Sequence, residues 1–268
     1  MVYNILMLIV IYVALLGLVI GSAINAIVWR IYVGRSWVKG RSMCPNCKHE
    51  LAAKDLVPVF SWLWLRGKCR YCRIAIHWQY PVVEALTAFL FGLSAYVLAP
   101  ATTLGYINLA FWLGLLALMI IMAIYDLRWM ILPDKVVYPG IYLALTFVVF
   151  EALTTHSWMA FRGPFGAALL VTGLFYGIAA LSRGNAMGGG DIKLVFMMGL
   201  ILGLKGTALA MLIGFNSAAI VCIGLILAHK RRRRDLIPFG PFLAAGTIIA
   251  FLYGQPIVNW YLNINGLT

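Results

Sequence analysis

Charge is what this chain has least of. Aspartate, glutamate, lysine and arginine make up 11% of its 268 residues, and only eight are acids. A soluble domain is about a quarter charged, so a soluble enzyme is excluded, and so is a disordered or collagen-like chain. Common catalytic signatures are missing too. The four histidines (His49, His77, His156 and His229) form no HExxH pair, and there is no nucleophile elbow, P-loop or GxGxxG fingerprint. What remains is apolar: 63% of residues are hydrophobic and the mean hydropathy is +0.95. That composition belongs to a polytopic membrane protein.

A helix needs roughly 20 apolar residues to cross a bilayer. Eight segments qualify or nearly so: about 4–28, 82–99, 104–125, 136–153, 164–182, 192–204, 206–228 and 239–262. The sixth is short and nearly fused to the seventh, so seven is the competing count. The first has no basic start and is too long for a signal-peptide core, so it reads as a retained helix.

The formal net charge is +13, a balance that often means nucleic acid. Here the basic residues sit beside apolar spans, and no nucleic-acid partner is expected. If residues 29–81 lie on the cytoplasmic side, 19 of the 21 lysines and arginines fall on that side; only Arg162 and Lys205 do not. The split matches the excess of positive charge in cytoplasmic loops and puts the N-terminus outside. The run from Lys230 to Asp235 reads as a topology anchor that also attracts anionic lipid headgroups.

The longest polar stretch, between the first two spans, carries Cys44-Pro-Asn-Cys47 and Cys69-Arg-Tyr-Cys72. Two CxxC pairs at this separation fit a tetrahedral four-thiolate zinc site. So short a stretch cannot build much apolar core, so the metal would do most of its folding. Disulfides are disfavoured in the reducing cytosol, and a redox CxxC normally comes singly on a thioredoxin-like unit. The fifth cysteine, Cys222, lies within an apolar span and reads as packing.

Eight acids can be weighed one by one. Glu50, Asp55 and Asp235 read as solvated loop residues and Glu151 as interfacial. Glu84 enters the second span, where it either attracts a cation or is a satisfied acid at a helix start. Asp134, after Pro133, reads as an N-cap. Asp126, in the string YDLRWMILPD, and Asp191, closing GNAMGGGD, lie at one membrane boundary. Acids there are costly and suggest function. Brought together, two carboxylates cannot both ionise easily; one serves as base on a water while the other donates to a carbonyl, as in aspartic proteases. Glycines beside Asp191 would permit positive φ and close approach of an extended peptide. The alternative is that Asp126 and Asp191 are helix-end residues paired with Arg128 and Lys193, with Asp191 as an N-cap.

In order along the chain, GSAINAIVWR, CPNC, KDLVPVFSWLWLRGKCRYC, IHWQYPVVE, YDLRWMILPD and GGGD resemble the signatures of bacterial prepilin peptidases, the type IV leader peptidases of pilus and type II secretion systems. The resemblance covers nearly the whole chain. It implies an all-α polytopic protein of about eight transmembrane helices, divided into a first helix (1–28), a cytoplasmic four-cysteine zinc domain associated with methyl transfer (29–81) and an intramembrane aspartic peptidase domain (82–268). It implies that Asp126 and Asp191 are the catalytic pair of a GxGD-type protease, with the motif glycines on Gly188 and Gly190. It further implies that Cys44, Cys47, Cys69 and Cys72 hold structural zinc.

The implied substrates are prepilins and pseudopilins, cleaved after a glycine that ends a short basic leader, at the cytoplasmic face of the bacterial inner membrane. The family often also methylates the new N-terminal amine with S-adenosylmethionine; no sequence fingerprint marks that cofactor's pocket. Asn25 and Arg30 lie in the matched stretch without an assignable role, and Glu50 or Asp55 would be the acids to receive a basic leader. The rival readings are a proton-coupled transporter, a zinc-dependent scaffold, and a peptidase lacking the methyltransferase.

Overall fold

A computed structural model describes residues 2–37, 40–183, 188–230 and 237–264. The arginine run with Asp235, and residues 184–187 of the glycine-rich segment, lie outside the described residues. Apolar composition over long stretches leaves the backbone no partner but itself, and helix is the outcome. The elements are α1 (Val2–Tyr32), a 3₁₀ turn (Ala53–Asp55), α2 (Phe60–Trp64), α3 (Gln79–Leu98), α4 (Thr103–Trp129), α5 (Asp134–Thr154), α6 (Trp158–Leu181), α7 (Gly189–Leu227) and α8 (Gly240–Ile264). Seven of these helices are long and apolar enough to cross a membrane. Two compact units divide the chain after Leu113, within α4.

Helix α7 reconciles seven helices with eight expected spans. It has 39 residues, but Gly203 within it has φ 63° and ψ −173°, far from helical values. The hydroxyl of Thr207 lies 2.6 Å from the Gly203 carbonyl and 3.4 Å from the Met198 carbonyl. In a straight helix, residues nine apart would be separated by about 13.5 Å along the axis. The chain therefore bends sharply at Gly203, and the expected segments 192–204 and 206–228 are the two arms.

In the first unit α1 packs on α3 through small residues. A Cβ on Gly17 would stand 2.8 Å from the Ala88 Cα, and one on Gly21 2.7 Å from the Glu84 Cα. These two glycines, four apart, let the backbones approach as they do in membrane helix pairs. In the second unit the first arm of α7 is central: Leu194, Val195, Met197, Met198 and Leu200 are fully buried. Gly140 of α5 makes room for the Met197 sulfur, and Gly199 lies against the backbone at Ala168 of α6. Outward faces such as Leu8, Tyr12, Leu15 and Val19 of α1 stay exposed and apolar, as a lipid-facing surface requires.

Candidate active site and metal centre

Two knuckles of nearly identical construction carry the cysteines. In the first, Cys44 N–H donates to the His49 carbonyl at 3.0 Å and Lys48 N–H to the Cys44 carbonyl at 2.9 Å; in the second, Cys69 N–H donates to Ile74 at 2.9 Å and Arg73 N–H to Cys69 at 3.0 Å. The residue after each second cysteine, Lys48 and Arg73, has positive φ, which turns the chain back over the sulfurs. All four Sγ atoms lie within 4.8 Å of one another, and Cys44 and Cys72 are 3.8 Å apart. A tetrahedron with Zn–S of about 2.3 Å separates its sulfurs by about 3.8 Å, so the four cysteines fit one structural zinc ion. The Cys72 thiol is lowered to about 6 by the Ile74 backbone N–H, the Asn46 amide and the neighbouring Cys47 and Cys69, which favours the thiolate a metal needs.

Asp55 is not the solvated acid expected from sequence. Its carboxylate is nearly fully buried and meets Arg70 Nε at 2.5 Å, the Tyr71 hydroxyl at 3.0 Å and the Ala52 N–H at 3.1 Å. Burial alone would raise its pKa, but Arg70, Tyr71 and Ala52 together hold it below the ordinary value. It is therefore already engaged by the loop, whereas Glu50 forms an exposed pair with Arg41. Arg30 braces the start of the same loop by donating to the Trp37 and Gly40 carbonyls at 3.3 and 2.8 Å.

In the second unit Asp126 sits in the last turn of α4, 5% exposed. Its Oδ2 accepts the backbone N–H of Gly240, the first residue of α8, at 2.8 Å. Half-buried Asp191 stands in the first turn of α7, and its backbone N–H bonds back to the Gly188 carbonyl at 3.2 Å. Gly190 fits against Leu132, where a Cβ would meet the leucine Cβ at 2.8 Å. That contact packs the turn after Asp126 onto the glycine segment before Asp191, and the charge of Asp126 bears on Asp191.

Several local expectations are corrected. Gly188, Gly189 and Gly190 do not have positive φ; Gly188 is an extended N-cap at φ −74°. The space they leave is what counts, above all at Gly190. Pro133, not Asp134, occupies the N-cap of α5. Asp134 pairs instead with Lys193 at 2.5 Å, and the ammonium also lies 4.9 Å from the centre of the Tyr138 ring. Asp191 is therefore not the partner of Lys193, nor is it an N-cap. Among the described residues neither Asp126 nor Asp191 belongs to an ion pair. Sequence reading missed Gly240 and Leu132. The Pro-Phe-Gly-Pro string at 238–241 was the available signal for Gly240, since such punctuation marks a turn opening a helix.

These features define a polytopic helical membrane protein with a four-thiolate loop in one unit and two helix-end carboxylates, Asp126 and Asp191, in the other. The bacterial peptidase A24 N-terminal domain matches residues 15–98, and the type IV leader peptidase family matches residues 113–225. A prepilin leader peptidase/N-methyltransferase of Aeromonas hydrophila is 34% identical over 92% of each chain. Proteins of the same name from Bacillus subtilis and Pseudomonas aeruginosa are each 32% identical, covering 92% and 94% of this chain and 96% and 93% of their own. No solved structure matches the chain. The chain belongs to the type IV leader peptidase family. It is a peptidase, and its relatives are named for N-methyl transfer as well.

Proposed function

We propose that this protein removes the leader of prepilins and pseudopilins at the cytoplasmic face of the bacterial inner membrane, using Asp126 and Asp191 as an aspartate pair, and then methylates the exposed amine. The carrying observation is that Gly190, beside Asp191, fits against Leu132 from the turn after Asp126, while the nearby cation, Lys193, is taken by Asp134.

In this reading one carboxylate takes a proton from a water as its oxygen attacks the scissile carbonyl, and the other donates a proton to the carbonyl oxygen. The bond to nitrogen then breaks as the leaving amine is protonated. Gly240 holds Oδ2 of Asp126, which leaves Oδ1 to take part in the reaction. An unwound substrate segment would pass beside exposed Gly188 and Gly189, where the missing side chains leave backbone accessible. Residues 29–81 form the zinc domain and residues 82–268 the peptidase domain. Cys44, Cys47, Cys69 and Cys72 hold zinc that shapes the loop and takes no part in hydrolysis. S-adenosylmethionine, when bound, supplies the electrophilic methyl group.

The test mixes purified protein in detergent with a prepilin. Asp126→Asn and Asp191→Asn should each lower leader removal by at least ~10³-fold, and the double variant should be no worse than either, as for groups that act as a unit. Full activity in either single variant rejects the pair. Proton flux in liposomes without cleavage would support the transporter instead.

A further inference from the structure

Seven polar or charged residues are buried among the described residues: Asn25, Glu84, Thr87, Ser94, Asp126, Thr207 and Thr247. The four hydroxyl residues each return their bond to a carbonyl of their own helix, and Asp126 belongs to the site above. Asn25 of α1 and Glu84 of α3 remain, and they share one seam of the first unit.

Gly21 lies directly against the Glu84 backbone. Asn25, four residues further along α1, donates from Nδ2 to the carbonyl of Tyr80, four residues before Glu84, at 3.1 Å. One helical turn, about 5.4 Å, therefore separates the two side chains along the seam. Side chains lean toward a helix's N-terminus, so Glu84 leans toward the level of Asn25. The Asn25 Oδ1 is buried with no hydrogen-bond partner. Turning the amide over would lose the bond to Tyr80, so the orphan is the oxygen.

The Glu84 Oε2 accepts the Val59 N–H at 2.7 Å, and the Ser22 hydroxyl faces the same carboxylate. Val59 sits at φ 61°, ψ −52°, and Phe60 N–H bonds to the Pro58 carbonyl at 2.6 Å. That is a three-residue γ-turn with a β-branched residue at positive φ, a strained conformation of the kind found at functional sites. A strained turn thus holds the Glu84 carboxylate, and its neighbours Val57 and Phe60 are exposed.

A buried carboxylate beside an orphaned acceptor, held by a strained turn, has the polarity to receive a cation. We infer that Asn25 and Glu84 form a site for a small organic cation: the sulfonium of the methyl donor or the α-ammonium of the processed substrate. The inference rests on the methyl-transfer reading above and gives that reaction its residues. Charge recognition also suits turnover. The substrate ammonium first gives a proton to water; the neutral amine would then take the methyl carbon as the carbon–sulfur bond breaks, the electron pair staying on sulfur. The positive charge leaves the sulfur, the methylated amine releases its extra proton to water, and the neutral thioether product loses its hold on Glu84.

The experiment measures equilibrium binding to the full chain in detergent. The ligands are S-adenosylmethionine, its amine analogue sinefungin and neutral S-adenosylhomocysteine; a leaderless pilin peptide is compared with its N-acetylated form. The wild type should prefer the cationic member of one set by at least ~10-fold. Glu84→Gln should bring that ratio near one, and Asn25→Asp, which adds charge at the same shape, should raise it. Thermal unfolding checks that each variant is folded, and Asn25→Asp decides if Glu84→Gln is not.

A moved nucleoside ratio assigns the site to the sulfonium, and a moved peptide ratio assigns it to the substrate amine. Ratios unmoved in the folded variants overturn the inference while leaving methyl transfer standing. A wild type that binds none of the nucleosides overturns both.

Discussion

The backbone N–H of Gly240 and Oδ2 of Asp126, 114 positions apart in the chain, meet at 2.8 Å in a buried hydrogen bond. The donor is a first-turn N–H of α8, one that no helical carbonyl satisfies, and Pro241 beside it has none to offer. A Cβ at position 240 would stand 2.8 Å from the same oxygen. On the proposed aspartate mechanism, Gly240→Ala should displace the Asp126 carboxylate and lower kcat for leader removal by about 10²-fold, with KM little changed, since small misplacements of a reacting group carry such costs. Steady-state kinetics on a prepilin checks this; an unchanged kcat would show that the contact does not position the acid.

Metal content gives a second prediction. Each chain should carry one zinc ion by elemental analysis. Cys44→Ser or Cys69→Ser should reduce that content and unfold residues 40–78 while the membrane helices persist. The two positive-φ residues, Lys48 and Arg73, hold their turns only as part of the knuckles, so both should lose amide-exchange protection together when a chelator strips the metal. Immediate loss of cleavage in an otherwise folded, chelated protein would instead point to a metal-dependent peptidase.

Asp55 ties loop stability to pH. Its pKa is held below the ordinary carboxylate value by Arg70, Tyr71 and Ala52 acting against burial. A lowered pKa stabilises the folded loop above the unfolded value of about 4, and the contribution fades as pH falls through the lowered folded value. Asp55→Asn should remove about 2 kcal/mol at neutral pH and flatten the dependence below about pH 4. Arg70 is one-third exposed, so the figure stays below that for a fully buried pair. Chemical unfolding followed by Trp62 fluorescence reports it, because the Trp62 indole is bonded to the Ile76 carbonyl at the other end of the loop.

Gly203 carries a purely conformational prediction. At φ 63°, ψ −173° it occupies a region essentially closed to residues with a Cβ, although open space surrounds it. Gly203→Ala should cost about 1–3 kcal/mol through backbone strain alone and lower thermal stability without touching the carboxylates. An unaltered melting temperature would mean that the bend is not needed.

What the sequence revealed and what it hid divides by distance along the chain. The CxxC pairs were legible because each knuckle is built from neighbours, and the break in α7 was legible as a sixth span too short to stand alone. The packing of Gly17 and Gly21 against α3 was not read, since it depends on which helix lies opposite. The alternative pairing of Lys193 with Asp191 fails for a simple geometric reason: residues two apart on a helix point to different sides, so Asp191 is not well placed for Lys193, while Asp134 of α5 is. Asp55 gave no sign of burial because its partners Arg70 and Tyr71 arrive from beyond the 3₁₀ turn and α2. Gly240 was unreadable as a partner of Asp126 for the same reason, at far longer range.

The close seating of α1 on α3 brings the two ends of the cysteine loop to neighbouring points without any contribution from the cysteines. The entropy of closing that long segment is thus met by the helix pair, and the ion has only to organise the interior. A chain stripped of zinc should accordingly behave as a tethered hairpin that refolds quickly when the metal returns.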